Sequence, residues 1–177
     1  LLLKSEGKWQ ETTKDGYKLG YIPPAHKPLT GLFKKKKGDK LLWDPPASYD
    51  LRTLSLLTSV KNQGNCGSCW AFTTNSAIES NWLKQGLSSF DLSEQNFKNC
   101  HGFLWGHCDG GNAELSSSYL SRQSGPILET QNAYNVNEST CVSTYSPTAF
   151  ITDAYYLPTR LDDNFQYQMK WWLYNYG

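Results

Sequence analysis

The chain has 177 residues and a formal net charge of +1. That length is enough to bury the core of one domain with a tail left over. The near-zero balance gives no electrostatic reason to expect nucleic acid or an anionic membrane as partner, and no apolar run is long enough to cross a bilayer.

Residues 1–44 read differently from the rest. Leu1-Leu2-Leu3 is too short to read as a signal peptide, and Gly16 to Pro24 is turn-rich with no helical period. Lys34 to Lys37 form a basic run, read as a solvated linker; the sharper reading is a processing site.

The most informative stretch is Gln63 to Phe72. Two glycines and small polar residues make a tight loop that ends at Cys69. A helical pattern starts there, with Ala71, Asn75, Ile78 and Trp82 recurring at helical spacing and Gly86 offering a left-handed stop. The spacing predicts a helix over 68–84, with Glu79 and Lys84 facing water. Cys69 thus sits at a helix N-terminus, where free N–H groups and the dipole favour a thiolate, the nucleophilic form.

Ser93 is a plausible N-cap for a short helix ending near Cys100. Gly110-Gly111 opens a third helical stretch whose apolar side is Ala113, Leu115, Tyr119 and Leu120, stopped by Gly125-Pro126. Residues 126–148 are irregular and polar, a loop pinned by Cys141. Residues 149–158 alternate as a strand would. Asp162 or Asp163 then caps a last helix with Phe165, Met169, Trp172 and Tyr176 on one side. There is no internal repeat.

Five cysteines leave one thiol over if the rest pair. Cys66 and Cys69, with Cys100, His101, His107 and Cys108, have some zinc-like spacing, but the second CxxC or HxxxH of such sites is absent. A thioredoxin-like dithiol is a second reading of Cys66-Gly67-Ser68-Cys69. There the aromatic residue precedes the first cysteine; here Trp70 follows the second.

The segment Gln63 to Phe72 resembles the active-site segment of the papain family of cysteine peptidases. Asp50-Leu51-Arg52 resembles the start of the mature enzyme. Leu92-Ser93-Glu94-Gln95 with Cys100 resembles the family's next helix, and Cys108-Asp109-Gly110-Gly111 its Cys-Asn-Gly-Gly turn. These motifs stand in the family's order over residues 45–177.

The resemblance implies an α+β papain-like fold, mainly the helical left domain with the start of the β-rich right domain. Residues 1–44 would be a pro-segment-like extension, and the Tyr21-Ile22-Pro23-Pro24 run would lie over the active site. Cys66–Cys108 and Cys100–Cys141 would be disulfides and Cys69 free. Two bridges imply an oxidising location: secreted, periplasmic, or lysosomal or vacuolar. Cys69 would be the nucleophile of a peptidase acting through a thioester, and Gln63 an oxyanion donor together with the Cys69 N–H. Gly67 and Ser68 would line the cleft. Gly110 and Gly111 would bind substrate main chain, and Asn112 and Ala113 would border a specificity pocket. Trp70 would pack behind the nucleophile. His101 and His107 default to surface residues, and Asn137-Glu138-Ser139 is a formal glycosylation sequon.

In this family the catalytic histidine and its orienting asparagine lie about 130–150 residues after the cysteine, at roughly 199–219 here. None of His26, His101 and His107 fits. The resemblance therefore implies an N-terminal portion of an endopeptidase domain. A second chain or the C-terminal remainder would supply histidine and asparagine. The substrate would be a peptide or protein, with no metal or organic cofactor and no nucleic-acid or membrane partner. The alternative is a papain-like protein that binds peptides without cleaving them.

Overall fold

The structure is a computed structural model that describes residues 14–16, 20, 22, 43–157 and 165–177. The described elements are four helices: α1 (Cys69–Lys84), α2 (Glu94–Cys100), α3 (Ala113–Ser121) and α4 (Phe165–Tyr176).

The core forms where the first three helices meet. Trp70 and Ala71 from α1, Phe97 from α2, and Tyr119 and Leu120 from α3 are buried together. The rings of Phe97 and Tyr119 lie 4.3 Å apart, and each such side chain contributes about 1.5–3 kcal/mol on burial. The Tyr119 hydroxyl donates to Asn96 Oδ1, so the polar tip of this core ring is satisfied inside the core. The hydroxyls of Thr74 and Ser116, 2.6 Å apart, add a polar tie between α1 and α3.

Helix ends follow the sequence closely. Ser93 caps α2, its Oγ accepting from Asn96 N at 3.1 Å. After α1, Gly86 takes the left-handed conformation, with φ of 78°. The third helix stops earlier than Gly125-Pro126 suggests: it ends at Ser121, and Gln123 supplies the positive φ of 57°.

Two residues expected in water are not there. Glu79 is buried, accepting from Leu92 N at 2.8 Å and from the Thr58 hydroxyl, with Lys61 Nζ 3.6 Å away. Lys84 is half-buried; its ammonium donates to Tyr49 Oη at 2.8 Å and lies 5.4 Å from the Tyr49 and Tyr174 rings. In both cases a segment distant in the chain folds over a helix face that looks solvent-facing by periodicity.

The segment 126–148 is a loop, as expected, and α2 explains why it holds its shape. Polar side chains of α2 and its N-cap point at the loop's main chain. Ser93 Oγ donates to Asn132 O at 2.6 Å, Lys98 Nζ to Glu138 O at 2.6 Å, and Asn99 Nδ2 to Thr140 O at 2.9 Å. Gln95 Oε1 accepts from Asn135 N at 3.0 Å. The Cys100–Cys141 disulfide closes the same layer. These backbone groups of the loop are thereby satisfied without a strand ladder.

The expected strand over 149–158 does not form across 149–157; residue 158 lies outside the described residues. Among the described residues no neighbouring strand pairs with it, and its side chains dock separately. Ile151 packs on the core edge, the Tyr155 ring lies 4.8 Å from Trp172, and the Tyr156 hydroxyl meets that of Ser117. Alternation marks a strand only where a partner is available. The β content described is limited to bridges, such as the antiparallel Leu92–Leu128 pair, consistent with a partial α+β fold that is mostly helical.

The expected caps Asp162 and Asp163 lie outside the described residues. In α4 the buried residue is Gln168, whereas Met169 and Tyr176 are exposed. Tyr167 and Tyr174 also pack, lying 5.9 and 5.2 Å from Trp43, and Trp172 of the expected side lies 4.8 Å from Tyr155. Asn81 Nδ2, donating to Tyr176 O at 2.8 Å, ties the end of α4 to α1.

Candidate active site

The loop 63–68 carries Cys69 to the first position of α1. Cys66 is bonded to Cys108 and Cys100 to Cys141, and Cys69 is free and half-buried. A Cys66–Cys69 dithiol is therefore not formed. Gly67 N donates to Cys108 O at 3.0 Å, so the loop and the Cys108–Gly111 turn are joined through main chain as well as sulfur.

The backbone N–H groups of Gly20, Trp70 and Cys69 itself act to lower the pKa of the Cys69 thiol. Burial nevertheless pushes the thiol up, and these three donors recover only part of that rise. The expectation that the helix N-terminus alone favours a thiolate is thus reversed here. Desolvation penalises the charged form more than a dipole worth about 0.3–1 kcal/mol offsets.

The described histidines sit elsewhere. His101, expected at the surface, is buried; its ring lies 5.9 Å from Trp70 and its Nδ1 accepts from Phe103 N at 3.1 Å. Burial and the nearby Arg122 charge lower its pKa, favouring neutral imidazole. Trp70 is core, as expected.

Gln63 Nε2 donates to Cys66 O at 2.7 Å. A carboxamide nitrogen has two hydrogens, so this bond orients the amide and leaves a second N–H for another acceptor. Ser68 does not line an open cleft. It is fully buried, and its Oγ lies 2.8 Å from Tyr134 Oη. Tyr134 also donates to Gln63 O at 2.8 Å. Nothing in the polar stretch around Tyr134 marks it in sequence; its place beside the loop 63–68 is purely tertiary.

Gly111 has a peptide segment bonded across it. Its N–H donates to Gly20 O at 2.6 Å, and its carbonyl accepts from Ile22 N at 2.8 Å. Two residues on one strand bonding the same residue on the other is the pattern of a parallel pair. Gly110 supports it with φ of +98°, a conformation suited to glycine. Gly67 is buried on the other side of Gly20, whose own Cβ position would fall on the Gly67 carbonyl.

Asn112, expected at a specificity pocket, is the N-cap of α3. Its Oδ1 accepts from Glu114 N at 3.0 Å and Leu115 N at 3.1 Å. Its side chain is therefore committed to the helix. Ala113 is exposed, with its carbonyl accepting from the Tyr156 hydroxyl at 3.3 Å. The structure thus brings together Cys69, Gln63, Ser68, Gly67, Gly110 and Gly111, and leaves Asn112 and Ala113 at the edge in helix-starting roles.

Comparisons with known proteins identify the family. The sequence model of the papain family of cysteine proteases matches residues 45–177. A cathepsin L-like proteinase of Fasciola hepatica is 40% identical over 98 residues, covering 54% of this chain and 29% of that protein. Procathepsin L of Mus musculus is 34% identical over 113 residues, covering 61% of this chain and 34% of its own length. Among solved structures, digestive procathepsin L2 proteinase from Tenebrio molitor larval midgut superposes with a TM-score of 0.59 and 31% identity, over 71% of this chain and 41% of that one. The matched region spans about a third of these curated relatives.

Proposed function

This chain belongs to the papain family of cysteine proteases, and from that premise we propose that it carries the nucleophile half of a peptide-bond-hydrolysing site. Cys69 Sγ, as thiolate, adds to the substrate carbonyl carbon, and the carbonyl electron pair moves to oxygen. The free N–H of Gln63 Nε2 and the main-chain N–H of Cys69 stabilise that oxyanion, at a worth of about 2.7–4 kcal/mol per donor. Collapse expels the amine and leaves a thioester on Cys69. Water opens the thioester to a carboxylic acid and returns the thiol. The imidazole that takes the thiol proton and gives it to the amine, and the asparagine that orients it, come from the C-terminal remainder or a second chain. The substrate is a peptide or protein, and the setting is one that maintains the two disulfides, secreted or lysosomal.

The observation that carries this reading is the main-chain pairing at Gly111. Gly20 and Ile22 are bonded across the glycine edge, Gly20 O accepting from Gly111 N at 2.6 Å and Ile22 N donating to Gly111 O at 2.8 Å. The site therefore has the shape and hydrogen-bonding edge for a peptide beside its nucleophile. Gly20 and Ile22 serve as part of a covering segment, held there by their parallel pairing with Gly111.

The test is alkylation of Cys69 by iodoacetamide against pH in the full-length protein, read by peptide mass. An unassisted thiol reacts near its ordinary pKa of about 8.5, and an imidazolium-paired one reacts well below it. Rapid labelling near about pH 6 is expected once residues 1–44 are removed. Peptide cleavage abolished by Cys69→Ala is expected alongside. Labelling that rises only above about pH 8, with no cleavage, overturns the peptidase reading and leaves peptide binding. Equal labelling with and without residues 1–44 overturns the covering role.

A further inference from the structure

The hydroxyl of Tyr134 straps the nucleophile loop shut from outside. It donates to Gln63 O at 2.8 Å and lies 2.8 Å from Ser68 Oγ, across separations of 71 and 66 residues. A phenol carries one hydrogen, and that hydrogen is given to the carbonyl. Ser68 is therefore the donor in the other bond, and the run Ser68 to Tyr134 to Gln63 is directional.

Ser68 is the N-cap residue of α1, yet its side chain makes no capping bond. A serine cap is ordinarily worth about 1 kcal/mol. Here the hydroxyl is committed to Tyr134, so it does not occupy the first N–H groups of the helix. The two residues the strap joins are those that decide where the oxyanion donors stand: Gln63 bears one donor, and Ser68 immediately precedes the other.

Tyr134 is itself held rigidly. Its N–H donates to Glu129 Oε1 at 2.6 Å, and its ring meets Phe72 edge-on at 4.9 Å. The Lys98 ammonium lies 5.7 Å from the ring centroid while donating to Asn135 O at 3.3 Å and Glu138 O at 2.6 Å. The strap thus hangs from α2 and the disulfide-closed loop, elements packed on the core.

We propose that Tyr134 is a positioning residue of the peptidase reaction, holding the Gln63 amide and the Cys69 N–H at a separation that lets both reach one oxyanion. It acts through Gln63 and Ser68 and does not touch substrate. The proposal rests on the peptidase reading of Cys69.

The experiment is a double-mutant cycle in the full-length protein, with kcat expressed per Cys69 titrated by iodoacetamide. Tyr134→Phe keeps the ring and removes only the strap. Its kcat is expected to fall roughly 10- to 100-fold, the range that misplacing a reacting or stabilising group costs, with KM changed less than about twofold. Gln63→Ala is expected to cost about 100- to 1,000-fold, and adding Tyr134→Phe to it to cost less than it does in the wild type, because one of the two donors that Tyr134 positions is gone. Ser68→Ala removes the other end of the strap without touching the ring and is expected to lower kcat in the same direction.

A Tyr134→Phe protein with wild-type kcat overturns the inference while the peptidase reading stands. So does a Tyr134→Phe effect that multiplies in full onto Gln63→Ala. A wild-type protein that cleaves no peptide overturns the peptidase reading and the inference with it.

Discussion

Lys61 Nζ lies 2.8 Å from Glu94 Oε1, and both side chains are largely withdrawn from water. The same ammonium bonds Asp91 Oδ1 at 2.7 Å and Leu92 O at 2.9 Å and approaches Glu79 at 3.6 Å. One cation thus serves three carboxylates where the segment before the loop 63–68 meets α1 and α2. Burial works against the Lys61 charge, but hydrogen bonds to Asp91 and Glu94 reverse it and hold the ammonium above its usual range. At Glu94 burial wins, pushing the carboxyl up to about 7 despite Lys61.

This makes stability depend on pH in a definite direction. Glu94 is raised in the folded state from an ordinary value of 4.5 to about 7, so between those limits the folded protein binds more protons than the unfolded chain. The Glu94 contribution is therefore fully present below about pH 4.5 and is lost as pH rises to about 7, at no more than about 1.4 kcal/mol per pH unit. Glu129, also raised by burial, acts in the same sense. Urea unfolding of wild type and Glu94→Gln across this window measures it. The difference between the two proteins should change with pH; parallel curves would show that Glu94 does not titrate there.

Replacing Lys61 with Met removes the cation and leaves Glu79 and Glu94 buried without a counter-charge. Breaking a buried pair from one side costs about 3–5 kcal/mol. A large drop in the urea midpoint is expected. Lys61→Arg should recover part of it, since a guanidinium restores the charge with different geometry. A Met variant within error of wild type would mean that the carboxylates are solvated or neutral.

At Gly111 the constraint is space. A Cβ there would sit 2.6 Å from Trp70 Nε1, against a ring packed in the core. Overpacking of this kind costs about 1–3 kcal/mol, so Gly111→Ala should destabilise the protein and expose Cys69 to faster alkylation as the pairing with Gly20 and Ile22 loosens. Gly86 is the contrast: nothing lies within 4 Å of its Cβ position, and only its φ of +78° favours glycine. Gly86→Asn should be tolerated where Gly111→Asn is not. Equal thermal shifts for the two would remove the steric argument.

Much of the site is legible in the sequence. The loop 63–68, the start of α1 at Cys69 and the cap at Ser93 follow from glycines, a periodic apolar face and a hydroxyl ahead of a helix. The disulfide pairing is implied by the family's motif order, and the structure agrees with it. Burial of charge is not legible. Glu79 falls on a polar face by periodicity, and only the chain folding back through Thr58 and Lys61 makes that face internal. The strand expected over 149–158 shows the same limit: alternation describes a segment, whereas a ladder requires a neighbour.

Residue order alone dictates which stretches are helical and where α1 and α2 start, because periodicity and capping act over a few residues. The electrostatics and the strap belong to tertiary structure. Whether a thiol is raised by burial, whether Lys61 is shared by three carboxylates, and whether Tyr134 reaches Gln63 across 71 positions all depend on segments meeting in space. Such interactions are set by desolvation and distance, and neither is a property of a residue's place in the chain.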